Sequence, residues 1–305
     1  MSQQRGVLFP FIIFTLIWGS TWIVIRDQLG TVPPQWSVTY RFIIAAAAMF
    51  AICKWKNEPL ILARRDWGIV AFIGLFQFCV NFNAVYVAEH FITSGLVATV
   101  FALLLIPNSL LAWAFLGQRP NGRFLACSTI AIAGIALLFW NEMRKVDVAP
   151  AAVLTGIGWT LLGVLGAAAS NVAQATDRVR HIPILTLLAW SMAAGALFDG
   201  LLAVAVAGPP VLDPRPGYWL GLTYLALAAS ALCFSLYFPV VRKIGPGKAA
   251  YSSALVPIVA MALSTGLEGY RWTPLAAAGA ALAIGGMVLA LGARRSPAPP
   301  PPPAD

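Results

Sequence analysis

Residues 94–120 read SGLVATVFALLLIPNSLLAWAFLGQRP, and residues 252–274 read SSALVPIVAMALSTGLEGYRWTP. Pro257 follows Pro107 by 150 residues, and Leu116-Gly117-Gln118 is answered by Gly266-Leu267-Glu268. After each segment comes a short polar break and then a Gly/Ala-rich run, GRFLACSTIAIAGIALLF from Gly122 and PLAAAGAALAIGGMVLAL from Pro274. Paired hydrophobic segments, each interrupted by a proline at the matching position, point to a membrane transporter whose binding site lies between two repeats.

Composition narrows the class. The chain of 305 residues is 60% hydrophobic and only 10% charged, with a mean hydropathy of +0.81. Soluble domains carry about 25% charged residues, so an ordinary soluble enzyme is excluded. A net charge of +9 would suggest nucleic acid for a soluble chain. Here the basic residues sit between apolar runs, so the expected partner is an anionic lipid surface, with no nucleic acid. Cys53, Cys79, Cys127 and Cys233 all fall in or at the ends of apolar runs without CxxC spacing. They read as small buried hydrophobes. The N-terminal run lacks a small-x-small cleavage site and reads as a retained helix.

A helix needs about 20 apolar residues to cross a bilayer. Ten runs qualify: 7–25, 36–53, 68–88, 93–116, 122–140, 152–175, 183–206, 217–241, 248–267 and 274–292. They are too long for barrel strands and lack period-two alternation. Beyond Arg295, Ser296–Asp305 is proline repetition, expected to be extended or disordered. With the N-terminus inside, 14 of the Lys and Arg residues fall on inside segments and 5 on outside segments, Arg41 lying within a span. That bias predicts both termini in the cytoplasm. Five spans per half is an odd number, so the second half must enter the membrane upside down. The expected fold is all-α and polytopic, ten transmembrane helices in two inverted five-helix repeats over 1–146 and 147–295, with a disordered tail over 296–305.

Several of these stretches resemble the drug/metabolite transporter superfamily, in its ten-helix EamA-type branch. The opening LIWGSTWIVI (Leu16–Ile25) is similar to that branch's Trp-Gly-Ser helix, and YRFIIAAAA holds Arg41 where its second helix holds an arginine. The stretch through Pro107 is similar to a helix ending in Leu-Gly-Glu-Arg, with Gln118 in place of the glutamate; Glu268 keeps the acid in the second half. SLYFPVVRKIGPGKAA (Ser235–Ala250) and the stretch through Pro257 fit the second repeat. The resemblance spans about residues 8–292 and implies a central cavity lined by helices one, three, four, six, eight and nine, with five and ten packed outside. It also implies movement of small metabolites, often export of amino acids, across a bacterial inner membrane.

Polar groups in a bilayer are costly and face protein or water. Gln77 and Asn81, four apart, share one face of span three; Tyr86 follows, and Asn83 points elsewhere. Span six offers Trp159, Asn171 and Gln174. Trp18 and Trp22, four apart on helix one, suit a wall that stacks on an apolar or aromatic ligand. With Tyr237, these are the candidate substrate-binding residues. Packing, interhelical hydrogen bonding and the interfacial aromatic belt are the competing explanations for each. Pro107, Pro239 and Pro257 remove backbone hydrogen bonds and are candidate gating bends or static kinks. Arg41 is expected to snorkel outward or to pair with an acid, and Asp199 to be solvated or hydrogen-bonded near the interface. His90, beside Glu89, is a histidine able to titrate near neutrality.

No GxxxxGK[ST] loop and no HExxH motif occurs, which argues against P-loop ATP hydrolysis and against a zinc hydrolase. No catalytic residue, metal site or cofactor is expected. The reading is a non-ATP-driven carrier for a small-molecule substrate, with aromatic and aliphatic amino acids first. Drugs, sugars or nucleotide conjugates are the alternative cargo, and a membrane enzyme or assembly factor is the alternative class. Monomer and homodimer are both compatible with the sequence.

Overall fold

The computed structural model describes residues 2–144, 149–244 and 252–292. The proline-rich tail and the first residues of the ninth expected span lie outside them. Among the described residues ten helical passes follow in order: α1 Ser2–Gln28, α2 Pro34–Trp55, α3 Arg64–Ala88, α4 Ser94–Leu116, α5 Gly122–Met143, α6 Pro150–Gln174, α7 Ile184–Ala207, α8 Pro216–Lys243, α9 Ser252–Leu267 and α10 Pro274–Gly292. Among the described residues, α2 to α8 are long and apolar enough to cross a membrane, and the apolar parts of α9 and α10 are shorter.

Local chemistry sets the ends. Pro34, Pro150, Pro216 and Pro274 stand first in their helices, where a missing N–H costs nothing and φ is already helical. Gly117 closes α4 at φ 68°, a left-handed position that glycine takes without a Cβ clash. In the second half that role falls to Gly269, also at φ 68°, and not to Gly266. The two repeats therefore differ by two residues at this cap.

The repeat is visible in burial and in packing. Positions 31–50 and 181–200 have the same burial at every position but one, so α2 and α7 are equivalent at a spacing of 150 residues. α2 packs on α7, α4 on α9 and α5 on α10; α1 on α8 is matched by α6 on α3, α1 on α9 by α6 on α4, and α2 on α8 by α7 on α3. Every one of these contacts has its mate when helix n is exchanged for helix n+5. That is a two-fold relation between halves of opposite orientation.

Small residues permit the close crossings. A Cβ on Gly134 of α5 would lie 2.3 Å from the Ala283 nitrogen of α10, and one on Gly286 would lie 2.5 Å from the Ala131 nitrogen.

Two features depart from regular α-helix. α3 and α8, a matched pair, each contain a π-helical segment, Gly74–Val80 and Leu225–Leu232. α4 tightens to a 3-10 turn over Ala102–Leu104, just before Pro107. The proline ring would clash with the carbonyl four residues earlier, that of Leu103, which lies in this turn. Pro239 and Pro257 lie inside helices that show no such break.

Candidate functional site

A cavity lies where the two halves meet. It holds about 830 Å³ of empty space, counting the part that opens to the surroundings, and α1, α2, α3, α4, α6, α8 and α9 line it. Of the expected residues, Trp18, Trp22, Gln77, Asn81, Asn171 and Tyr237 are in its wall.

Each is held by its neighbours. Trp18 donates its Nε1 hydrogen to the Ala229 carbonyl in the π segment of α8, at 3.0 Å. Its ring lies 5.0 Å from that of Tyr237 and 5.5 Å from that of Phe234, both at steep angles. Edge-to-face rings of this kind fix one another's orientation. Trp22 lies 5.5 Å from Phe101, and its Nε1 has no partner. Asn81 donates to the Gln77 carbonyl at 3.3 Å, leaving Gln77 Oε1 and Asn81 Oδ1 buried without a donor. Asn171 donates to Asn108 Oδ1 at 3.4 Å. Buried carbonyl oxygens without donors are uncommon and costly. In a cavity wall they are groups that a ligand with N–H or O–H hydrogens would satisfy.

Three expected residues lie outside the wall. Tyr86 is buried and donates to Gln28 Oε1 at 2.9 Å. Trp159 is 39% exposed on the outer side of α6. Gln174 is buried near the end of α6, with both amide atoms unpartnered. Asn171 and Gln174 are three apart, but only the first reaches the cavity.

Of the two charges within spans, Arg41 departs from expectation and Asp199 takes the hydrogen-bonded alternative. Arg41 neither snorkels nor pairs with an acid: it is 1% exposed, lines the cavity, and donates from Nε to Ser230 Oγ at 3.0 Å. Asp199 is fully buried between α7 and α3, accepting from Asn83 Nδ2 at 2.6 Å. In both cases the cause is a polar partner on a facing helix, which the sequence of one helix does not reveal.

Polar clusters tie the helix ends at both faces. On the face holding the N-terminal end of α2, Glu268 accepts from the Ser94 hydroxyl at 2.7 Å and from the Ser94 amide at 3.3 Å. Arg26 Nε lies 3.8 Å from Glu268, and its guanidinium donates to the Glu89 carbonyl. The Glu89 carboxyl is fully buried with neither oxygen partnered. Burial, and next the Glu268 charge, push it well above the usual carboxylate range, with Arg26 opposing. Burial and then Arg26 push the adjacent His90 down. Gln118, at the opposite face, is exposed and takes no part in a comparable cluster. At that face His181 lies 3.1 Å from Asp66, joining the α6–α7 connection to the first turn of α3.

Comparison with known proteins bears on this arrangement. The EamA-like transporter family matches residues 5–140 and again 154–292. An inner membrane transporter of Escherichia coli, YedA, is 29% identical over 271 residues, covering 87% of this chain and 82% of its own. A probable amino-acid metabolite efflux pump of Escherichia coli is 25% identical over 302 residues, covering 95% of each. A protein crystal structure shares the fold at a TM-score of 0.70 and 19% identity, covering 94% of this chain and 96% of that one.

Proposed function

We propose that this chain, a multi-pass membrane transporter belonging to the EamA-like transporter family, exports amino acids, aromatic and aliphatic, or related small metabolites by alternating access. It does so without ATP and without catalysing a reaction. The observation that carries the reading is the cavity between the repeats, walled by aromatic rings and by the unpartnered amide oxygens of Gln77 and Asn81. Rings provide apolar area for a side chain, and amide oxygens accept from an ammonium group. The name of the Escherichia coli efflux pump, 25% identical, supports the same cargo. A polyanionic sugar or nucleotide conjugate would call for several basic groups in the wall, and among the described residues Arg41 is the one charged residue lining it. The Lys/Arg bias of 14 to 5 supports cytoplasmic termini, and the name of YedA supports a bacterial inner membrane.

Proteoliposomes loaded with labelled phenylalanine or leucine test this reading. Saturable flux is expected from the wild type, falling roughly tenfold or more in Trp18→Ala and Asn81→Ala, the cost of one lost buried hydrogen bond or ring contact. Dependence on an imposed proton gradient separates proton coupling from facilitation. Folded protein that moves neither amino acid would overturn the reading in favour of another cargo.

Pro107, which follows the 3-10 turn of α4, we take as a gating bend; Pro239 and Pro257, inside unbroken helices, we take as static. Pro107→Ala restores a backbone donor opposite Leu103. Turnover is expected to fall severalfold while equilibrium binding of the same amino acid holds. Equal losses in both would mark Pro107 as a binding or packing residue.

A further inference from the structure

Arg41 is a buried charge that the described residues leave without a counter-ion. It is 1% exposed, part of the cavity wall, and within a membrane-crossing helix. Its neighbours are hydroxyls and rings: Ser230 Oγ at 3.0 Å from Nε, the Tyr86 hydroxyl close by, and the Phe82 and Phe42 ring centres at 4.4 and 5.6 Å from Cζ. Nη1 has no partner. Hydroxyls and ring faces orient a guanidinium but do not neutralise it. Among the described residues no carboxylate pairs with Arg41. Asp199 is held by Asn83 at the α3–α7 contact, and Glu268 belongs to the cluster around Arg26.

The two-fold relation sharpens the point. The equivalent of Arg41, 150 residues on, is Ser191, which is equally buried but is not a wall residue. The cation is therefore present on one side of the cavity only. A ligand with one anionic end matches that asymmetry.

We propose that Arg41 anchors a carboxylate of the transported molecule. Ser230 is its positioning residue, holding the guanidinium from the π segment of α8. Gln77 Oε1 and Asn81 Oδ1 accept from an ammonium at the other end of the same ligand. The ammonium half rests on the amino-acid reading; the carboxylate half does not. The fork of N–H donors on a guanidinium meets a carboxylate with charge-assisted hydrogen bonds, which are stronger than neutral ones.

Binding to the full chain in nanodiscs, read by tryptophan fluorescence and thermal shift, provides the test. The probes are L-phenylalanine, L-leucine, L-phenylalaninamide, 3-phenylpropanoate and 2-phenylethylamine. In the wild type, removing the carboxylate is expected to weaken binding roughly 10- to 100-fold. Arg41→Gln is expected to erase the difference between phenylalanine and its amide, and Arg41→Lys to keep part of it. Ser230→Ala is expected to weaken the carboxylates without affecting the amine.

Equal binding of acid and amide to the wild type would overturn the proposal, and that comparison needs no variant to fold. Binding of neither amino acid nor 3-phenylpropanoate would overturn it as well. Arg41-dependent binding of 3-phenylpropanoate without either amino acid would sustain the anchor and reject the amino-acid cargo.

Discussion

Leucine in place of Gly134 is expected to destabilise the folded protein by roughly 3 kcal/mol, the upper range for overpacking a tight contact. A Cβ at this position would meet the Ala283 nitrogen at 2.3 Å and the Gly279 carbonyl oxygen at 2.7 Å. Those are backbone atoms, so no rotamer change relieves the clash; α5 and α10 must move apart. In a bilayer, lipid tails are as apolar as side chains, and close packing is what holds two helices together. Leucine at Gly286 is expected to act the same way, because its Cβ would lie 2.5 Å from the Ala131 nitrogen and 2.9 Å from the Ala131 Cα. The adjacent Gly285 is the control: nothing lies within 4 Å of a Cβ there, so Gly285→Ala is expected to stay within about 1 kcal/mol of the wild type. Unfolding in mixed micelles of increasing dodecyl sulfate fraction measures all three. Leucine at Gly134 unfolding with the wild type would mean that α5 and α10 do not pack by this face.

The second large effect concerns pH and Glu89. Its carboxyl is buried without a partner one residue past the end of α3, facing Glu268 and Arg26. Its folded-state pKa is raised, so the folded protein keeps this proton at pH values where the unfolded chain has lost it. Over that interval the folded state binds more protons, and stability falls as pH rises. The stabilisation is whole below the ordinary value of 4.5 and is lost as pH climbs toward the raised folded value. His90 works in the opposite sense: its lowered pKa costs stability as pH falls below its ordinary value of 6.5. Comparing Glu89→Gln with the wild type separates the two. The variant is expected to match the wild type near pH 4.5 and to exceed it at pH 8 by on the order of 2 kcal/mol, the scale of an unpaired buried charge. Parallel stability profiles for the two proteins across this range would exclude Glu89 as the titrating group.

Glu268 shows how far a single position carries in a sequence comparison. The pairing of Gln118 with Glu268 is legible at a spacing of 150 residues, yet Gln118 is exposed while Glu268 binds Ser94, Ser264 and Arg26. Inverted repeats put equivalent residues at opposite faces of the membrane, where they meet different neighbours. The same holds for Arg41 and Ser191. Gln77 and Asn81 were legible as one face because four residues make nearly one turn. Trp159, Tyr86 and Gln174 were not separable from the cavity residues on the same grounds, since helices apolar almost all round carry no polar stripe to mark which side faces inward.

Hydropathy and chain order by themselves determined the ten passes, and the odd number per half determined the inversion. Both rest on the cost of unpaired backbone groups in hydrocarbon, which leaves a long apolar run little choice but helix. The proline and small-residue pattern located the repeat, while the crossing of α5 with α10 is seen in the packing. Only the tertiary structure decided which rotation of each helix faces the cavity, where α3 and α8 take their π segments, and that Arg41 lies in the wall opposite no acid. Those outcomes depend on atoms of other helices, such as Ser230 for Arg41 and Asn83 for Asp199. No periodicity within one segment encodes a partner more than a hundred residues away.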